Sequence, residues 1–148
     1  MRPSVDSYLE ELRRALAQDF APRLPTSFEQ SALARHAVLL GAVIEEFDRA
    51  ASRRIEENRA LRGLFADAVK TIPDSDLRSR LLAACETEDS SFKVRDLDMG
   101  NCGLRNLLIE LHEHVERLAG DEARSLEQAI WRELACSTER RRTSLNRF

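Results

Sequence analysis

Lysine is nearly missing from this chain: of 23 basic residues only Lys70 and Lys93 are lysine, and the rest are arginine. Arginine and alanine enrichment with scarce lysine follows from GC-rich bacterial coding, so the arginines are not taken as a phosphate-binding signature. A formal charge of −3 and a pI of about 5.7 leave no general basic surface, which argues against nucleic acid as a partner. Glycine (5) and proline (4) are few, so turns are few and long elements are favoured over many short strands. The three cysteines, Cys85, Cys102 and Cys136, are odd in number and widely spaced with no C-x-x-C. That pattern suggests neither a disulfide framework nor a zinc site, and buried reduced thiols of a cytosolic protein are expected. The opening residues lack the apolar stretch of a signal peptide, and no run approaches the roughly 20 apolar residues of a membrane span. The expected location is the cytoplasm, with no membrane partner, and no cofactor is implied.

What is present is helical periodicity. Val5, Tyr8, Leu9, Leu12, Leu16 and Phe20 fall on one face of a first helix with Ser4 as N-cap, and Pro22 and Pro25 stop it. Thr26 followed by Glu29 reads as a capping box. From it runs a heptad-like seam of Leu33, Ala37, Leu40, Ile44, Phe47 and Ala51, continued by Arg54, Asn58, Leu61, Phe65, Ala68 and Ile72. Unbroken, such a helix measures about 65 Å at 1.5 Å per residue. The polar stretch from Arg53 to Asn58 is where a kink or short turn is expected if it breaks. Pro73-Asp74-Ser75-Asp76 is a turn with a built-in N-cap, leading to a short helix with Leu77, Leu81, Leu82 and Cys85. Glu86 to Ser91 reads as a loop whose exit is expected to be anchored by Phe92 and Val94. A further seam starts near Asp96: Leu97, Asn101, Leu104, Leu108, Leu111, Val115 and Leu118. Gly120-Asp121 closes that helix and opens the last, which carries Ala123, Leu126, Ile130 and Leu134. No period-two alternation occurs, so no sheet is predicted. The expected fold is all-α, a bundle of five to six helices, two of them long, forming one domain over residues 1–148. The basic tail at 140–148 is expected to fray as a solvated terminus.

One polar constellation interrupts the apolar seams. Asn58-Arg59-Ala60-Leu61-Arg62-Gly63-Leu64 and Asn101-Cys102-Gly103-Leu104-Arg105-Asn106-Leu107 both fit N-x-x-L-R-x-L. Each asparagine lies on a seam, where an unsatisfied buried amide costs roughly 1–3 kcal/mol. On antiparallel helices the two amides can bond each other and fix register. The functional alternative is a polar pocket in which Asn58, Arg62, Asn101 and Arg105 receive an acyl or anionic ligand. Gly63, Gly100 and Gly103 flank the asparagines and point to close helix approach or to room for something small, since each costs about 1 kcal/mol in a helix.

A metal site is the remaining chemical candidate, built from His36, Glu110, His112 and His114. Glu110/His114 and His112/Glu116 are i, i+4 pairs, but Glu-x-x-His and His-x-x-x-His are absent, and surface pairing is the plainer reading. There is no phosphate loop, nucleophile elbow or nearby Cys–His pair.

The arrangement Tyr8-Leu9-Glu10-Glu11-Leu12, Pro22-Arg23-Leu24, Leu33-Ala34-Arg35-His36-Ala37-Val38-Leu39-Leu40 and Ile44-Glu45-Glu46-Phe47 resembles a family of small uncharacterised bacterial helical proteins. Members are encoded beside aminoglycoside-phosphotransferase-like and acyl-CoA dehydrogenase-like enzymes. The likeness covers roughly residues 5–70, carries over no site residue, and implies an accessory role near acyl-CoA or small-molecule metabolism. The leading expectation is a non-enzymatic interaction or accessory protein, a homodimer or the subunit of a protein partner. Its alternatives are a small-molecule binder with a pocket between helices and a metal-dependent enzyme.

Overall fold

The computed structural model describes residues 4–143. It is all-helical, with five α-helices: α1 Val5–Arg14, α2 Ser27–Ala68, α3 Ser75–Cys85, α4 Val94–Val115 and α5 Asp121–Arg140. A π-helical stretch, Ala15–Phe20, and a 3₁₀ turn, Ala21–Arg23, continue α1 up to Pro25. No strand occurs among the described residues. None of their helices is long and apolar enough to cross a membrane.

The helix boundaries follow local chemistry. The capping box forms as read: the Glu29 amide donates to Thr26 Oγ1 at 3.2 Å, while Thr26 Oγ1 and its own amide donate to Glu29 Oε2 at 2.8 and 3.2 Å. Asp74 Oδ1 accepts the Leu77 amide at 2.8 Å and starts α3. Gly120 adopts φ +114°, a left-handed conformation that side-chain-bearing residues avoid, and there the chain turns into α5. The break allowed for near Arg53 does not occur: α2 is one helix of 42 residues.

By its internal contacts the chain divides into two compact units. Residues 4–50 with 142–143 form the first, and Ala51–Arg141 the second. In the first unit α1 buries no residue, and Ala21, Ala37 and Ala50 are its buried apolar positions. The second unit holds the main core: Leu61, Phe65, Ala68 and Ile72 from α2 and the turn after it meet Leu77 and Leu81 of α3, Leu104, Leu107, Leu108, Leu111 and Val115 of α4, and Leu126 and Ile130 of α5. Apart from Leu107, these are apolar positions picked out by the sequence pattern. Phe92 and Val94, the expected anchors of the loop exit, are exposed; Leu97, one turn further on, is the buried anchor. Cys102 and Cys136 are exposed rather than buried, and only Cys85 is partly covered.

Helix directions follow from the pairs that meet. Arg54 with Asp98 and Glu57 with Asn101 rise together, so this part of α2 runs parallel to α4. Arg80 with Glu110, and Arg105 with Ser137 against Asn101 with Arg141, run in opposite senses, so α3 and α5 are antiparallel to α4. The second unit is an up-down-up-down arrangement joined by short loops.

Asp74→Ala removes the α3 cap and is expected to cost about 1 kcal/mol, with Asp74→Ser close to wild type, as read from urea unfolding midpoints.

Candidate functional site

The interior of the second unit contains a continuous polar chain. At its centre lies Glu57, only 1% exposed. Arg141 grips it with two charge-assisted bonds, Nε to Oε1 at 2.8 Å and Nη2 to Oε2 at 2.7 Å. Ser137 Oγ donates to Oε1 at 3.1 Å and Asn101 Nδ2 to Oε2 at 3.3 Å. Arg54 Nη1 stands 3.8 Å away, with its Nε bonded to Asp98. Burial works to raise the Glu57 pKa, but Arg141 and Ser137, helped by the Arg54 charge, hold the carboxyl below its ordinary value.

Asn101 carries the chain onward. Its Nδ2 donates to Asn58 Oδ1 at 3.0 Å, and its Oδ1 accepts from Arg141 at 3.4 Å. Asn58, fully buried, donates through Nδ2 to Asp89 Oδ1 at 2.9 Å. Asp89 lies in the loop between α3 and α4, where Arg62 binds both of its oxygens at 2.9 and 3.3 Å. Arg62 Nε donates to Thr87 Oγ1 at 3.0 Å, and Thr87 closes back on the Ala84 carbonyl. The Arg62 guanidinium, opposing some burial and aided by the Asn58 amide, holds the Asp89 carboxyl below its usual range.

The structure therefore gathers all four residues singled out as a pocket set, Asn58, Arg62, Asn101 and Arg105. The two amides bond each other as the seam argument requires, although on parallel rather than antiparallel helices. The arginines are not poised for an anion: Arg62 is engaged by Asp89 and Thr87, and Arg105 donates to Ser137 Oγ at 3.3 Å.

The metal candidates do not assemble. His36 is exposed on α2 with Nδ1 2.7 Å from the Ala32 carbonyl. Glu110 pairs with Arg80, not with His114. His112 packs edge-on against Trp131 at 5.2 Å and lies 3.7 Å from Glu116. His114 is half-buried beside Leu77. Among the described residues no group of three or more His, Cys, Asp or Glu side chains could hold a metal ion.

Several members of the network are not singled out by the sequence pattern: Glu57 lies in the polar run where a kink is allowed for, Asp89 and Thr87 in the loop, Asp98 on α4, Ser137 late in α5 and Arg141 in the basic tail. The tail is in fact held at its start: Arg140 pairs with Glu133 at 2.7 Å and Arg141 with Glu57. Residues 144–148 of that expected fraying lie outside the described part. The signal that finds Ser137 and Arg141 is register, because with Ile130 and Leu134 they continue the α5 seam in steps of four and three.

Comparison of the chain with protein-family models, with curated proteins and with solved structures gives no match.

Arg141→Ala leaves a buried carboxylate without its main partner. The expected loss is about 2–3 kcal/mol, below the 3–5 of a fully buried pair because Arg141 keeps 38% of its side chain exposed and water can enter. The lowered Glu57 pKa makes the wild-type contribution full above the unfolded value near 4.5, and it is lost as pH falls through the folded value. In Arg141→Ala burial acts on Glu57 with less opposition and the folded pKa rises, so this acid-side loss is expected to shrink and the stability gap between the two proteins to narrow as pH falls. Urea unfolding of both proteins across pH 3–7 checks both expectations.

Proposed function

We propose that this chain is a non-enzymatic helical interaction protein that works as a homodimer through its first unit. The observation that carries this reading is an amphipathic helix whose apolar side is only partly covered among the described residues: Leu9 and Leu16 are half-buried, but Val5, Tyr8 and Leu12 of α1, and Phe20 beyond it, are all about half or more exposed. The facing helix has the same excess. At 3.6 residues per turn, the large apolar positions of α2 from Phe28 to Phe47, apart from exposed Val38 on another side, spread over about half its circumference, against the roughly 100° stripe of a helix with one buried face. One part of that arc, Leu33, Ala37, Leu40 and Ile44, is buried or partly so. The other part, Phe28, Leu39, Val43 and Phe47, stands in water, with Phe28 74% exposed.

A second copy of the chain is the occupant that fits. Each partner contributes about 800 Å² to a standard interface, and the large exposed side chains from Val5 to Phe20 and from Phe28 to Phe47 supply apolar area toward it. Charges on α1 are satisfied within the helix, Arg13 on Glu10 and Arg14 on Glu11, each at 2.7 Å. Apolar area is thus what the surface has to offer, and an identical arc supplies it in equal length in a two-fold, self-complementary contact. The accessory role implied by the family resemblance over residues 5–70 concerns this same segment, and a dimeric helical platform suits such a role.

Light scattering with size-exclusion chromatography at micromolar protein is expected to give twice the 16.9 kDa chain mass. Leu39→Glu with Val43→Glu is expected to weaken association about a hundredfold while helicity by circular dichroism is retained. A wild-type chain that stays monomeric, or a charged variant that dimerises equally well, overturns the reading.

A further inference from the structure

Independently of self-association, the second unit holds a cavity of about 330 Å³ at the outer end of the polar chain, between the α3–α4 loop and the first turns of α4. Pockets that take small organic ligands begin near this size. Three features give it a chemical character. Its inner wall is apolar, formed by Leu97, Leu104 and Leu107 with Ala84. Its mouth carries Glu88, Asp89 and Asp96 against one lining arginine, Arg62, whose donors are already directed to Asp89 and Thr87; Arg59, in the adjoining hollow, adds a second positive charge near Asp89, so the three carboxylates still outnumber the cations. Asp89 is fixed in place from behind by the fully buried Asn58.

The third feature is the floor. Gly100 and Gly103, one turn apart on α4, both line the cavity. A Cβ on Gly103 would meet nothing within 4 Å, and one on Gly100 would meet only the Asn58 amide, at 3.8 Å. Close packing therefore does not demand glycine at either position, and neither glycine has positive φ. Helix-weakening residues retained where any side chain would intrude on a cavity keep that cavity open.

We propose that this cavity binds a small organic cation with a short alkyl chain, a primary amine whose ammonium group lies among Glu88, Asp89 and Asp96 and whose methylenes lie on Leu97, Leu104 and Leu107. A carboxylate or phosphate would face two carboxylates, Glu88 and Asp96, that have no ion-pair partner among the described residues, and would find Arg62 already engaged. Asp96 also stands in the first turn of α4, so the positive end of that helix is met by a fixed negative charge. An ammonium supplies three donors to this acceptor-rich mouth.

Isothermal titration and ¹H–¹⁵N NMR with pentylamine, pentanoate and pentanol separate the possibilities. Saturable pentylamine binding with a dissociation constant in the millimolar range or tighter is expected, consistent with a ligand of this size, together with shifts confined to Arg62, its helix neighbours and residues 84–107. Pentanoate is expected to bind at least tenfold more weakly, and pentanol weakly as well. Gly103→Leu fills the space and is expected to abolish binding while leaving the thermal midpoint unchanged or higher; Asp96→Asn is expected to weaken it severalfold. Pentanoate or pentanol binding as well as the amine, amine binding that survives Gly103→Leu, or no saturable amine binding at all would each overturn the proposal. All of these readouts are unaffected by Leu39→Glu with Val43→Glu, so failure here and failure of self-association are distinguishable.

Discussion

A carboxylate withdrawn from water must be answered by donors or give up its charge, and Glu57 imposes that demand on the interior of the second unit. Four groups meet it. Arg141 and Ser137 bring the end of α5 to the site, Asn101 brings α4, and Arg54 reaches from one turn earlier on α2. Each donor sits on a helix that also contributes leucines to the core, so satisfying the charge and burying the apolar seams require the same register. A slip of one turn along any of the three helices would strand Glu57 as well as open the leucine layer. The polar chain thus adds specificity to a core whose leucines alone would tolerate several alignments.

From Glu57 the same logic passes outward. Asn101 Nδ2 gives one donor to Glu57 and the other to Asn58 Oδ1, while its own Oδ1 accepts from Arg141. Asn58 in turn has a donor left over, which Asp89 accepts. Asp89 would be a second half-buried charge without Arg62, and Arg62 draws in Thr87 and the end of α3. One buried charge at the α2–α4–α5 junction is therefore linked, donor by donor, to the conformation of the loop after α3. The cavity mouth is formed by that loop, so its acidic lining is set from the interior and not by loop residues alone.

Much of this was legible in the sequence, for a definite reason. Asn58 and Asn101 stand out because an amide interrupts a leucine pattern whose period is unambiguous, and the capping box of Thr26 and Glu29 and the cap of Asp74 are local chemistry within four residues. Glu57 was not legible because it lies in a run of charges, and a charged run on a helix reads as a solvated face. Its partner, Arg141, is 84 residues away, among arginines that look like a tail. Long-range pairing has no local signature, and only the continued seam through Ser137 and Arg141 marks those positions. The histidines misled in the opposite way: i, i+4 spacing is common to metal sites and to surface pairs, and here Arg80 and Trp131 compete for the groups that a metal would need. The direction of the α2–α4 pairing was also beyond pattern reading, since two amides on facing seams can bond in either sense.

The continuity of α2 through Arg53 to Asn58 shows why composition alone misjudges a helix break. Polar residues do not end a helix; lost backbone hydrogen bonds do, and neither proline nor glycine occurs between Gly41 and Gly63 to release them. What a polar stretch changes is the solvent its side chains require. From Phe28 to Phe47 the helix is apolar on more of its surface than one neighbour can cover, whereas from Arg54 to Arg62 it is polar where apolar seams would be expected. In the latter segment the demand is met within the chain by carboxylate, amide and guanidinium groups. In the former, the side chains of Phe28, Leu39, Val43 and Phe47 remain in water, because no polar group of the chain has to be answered there and no apolar neighbour among the described residues covers them.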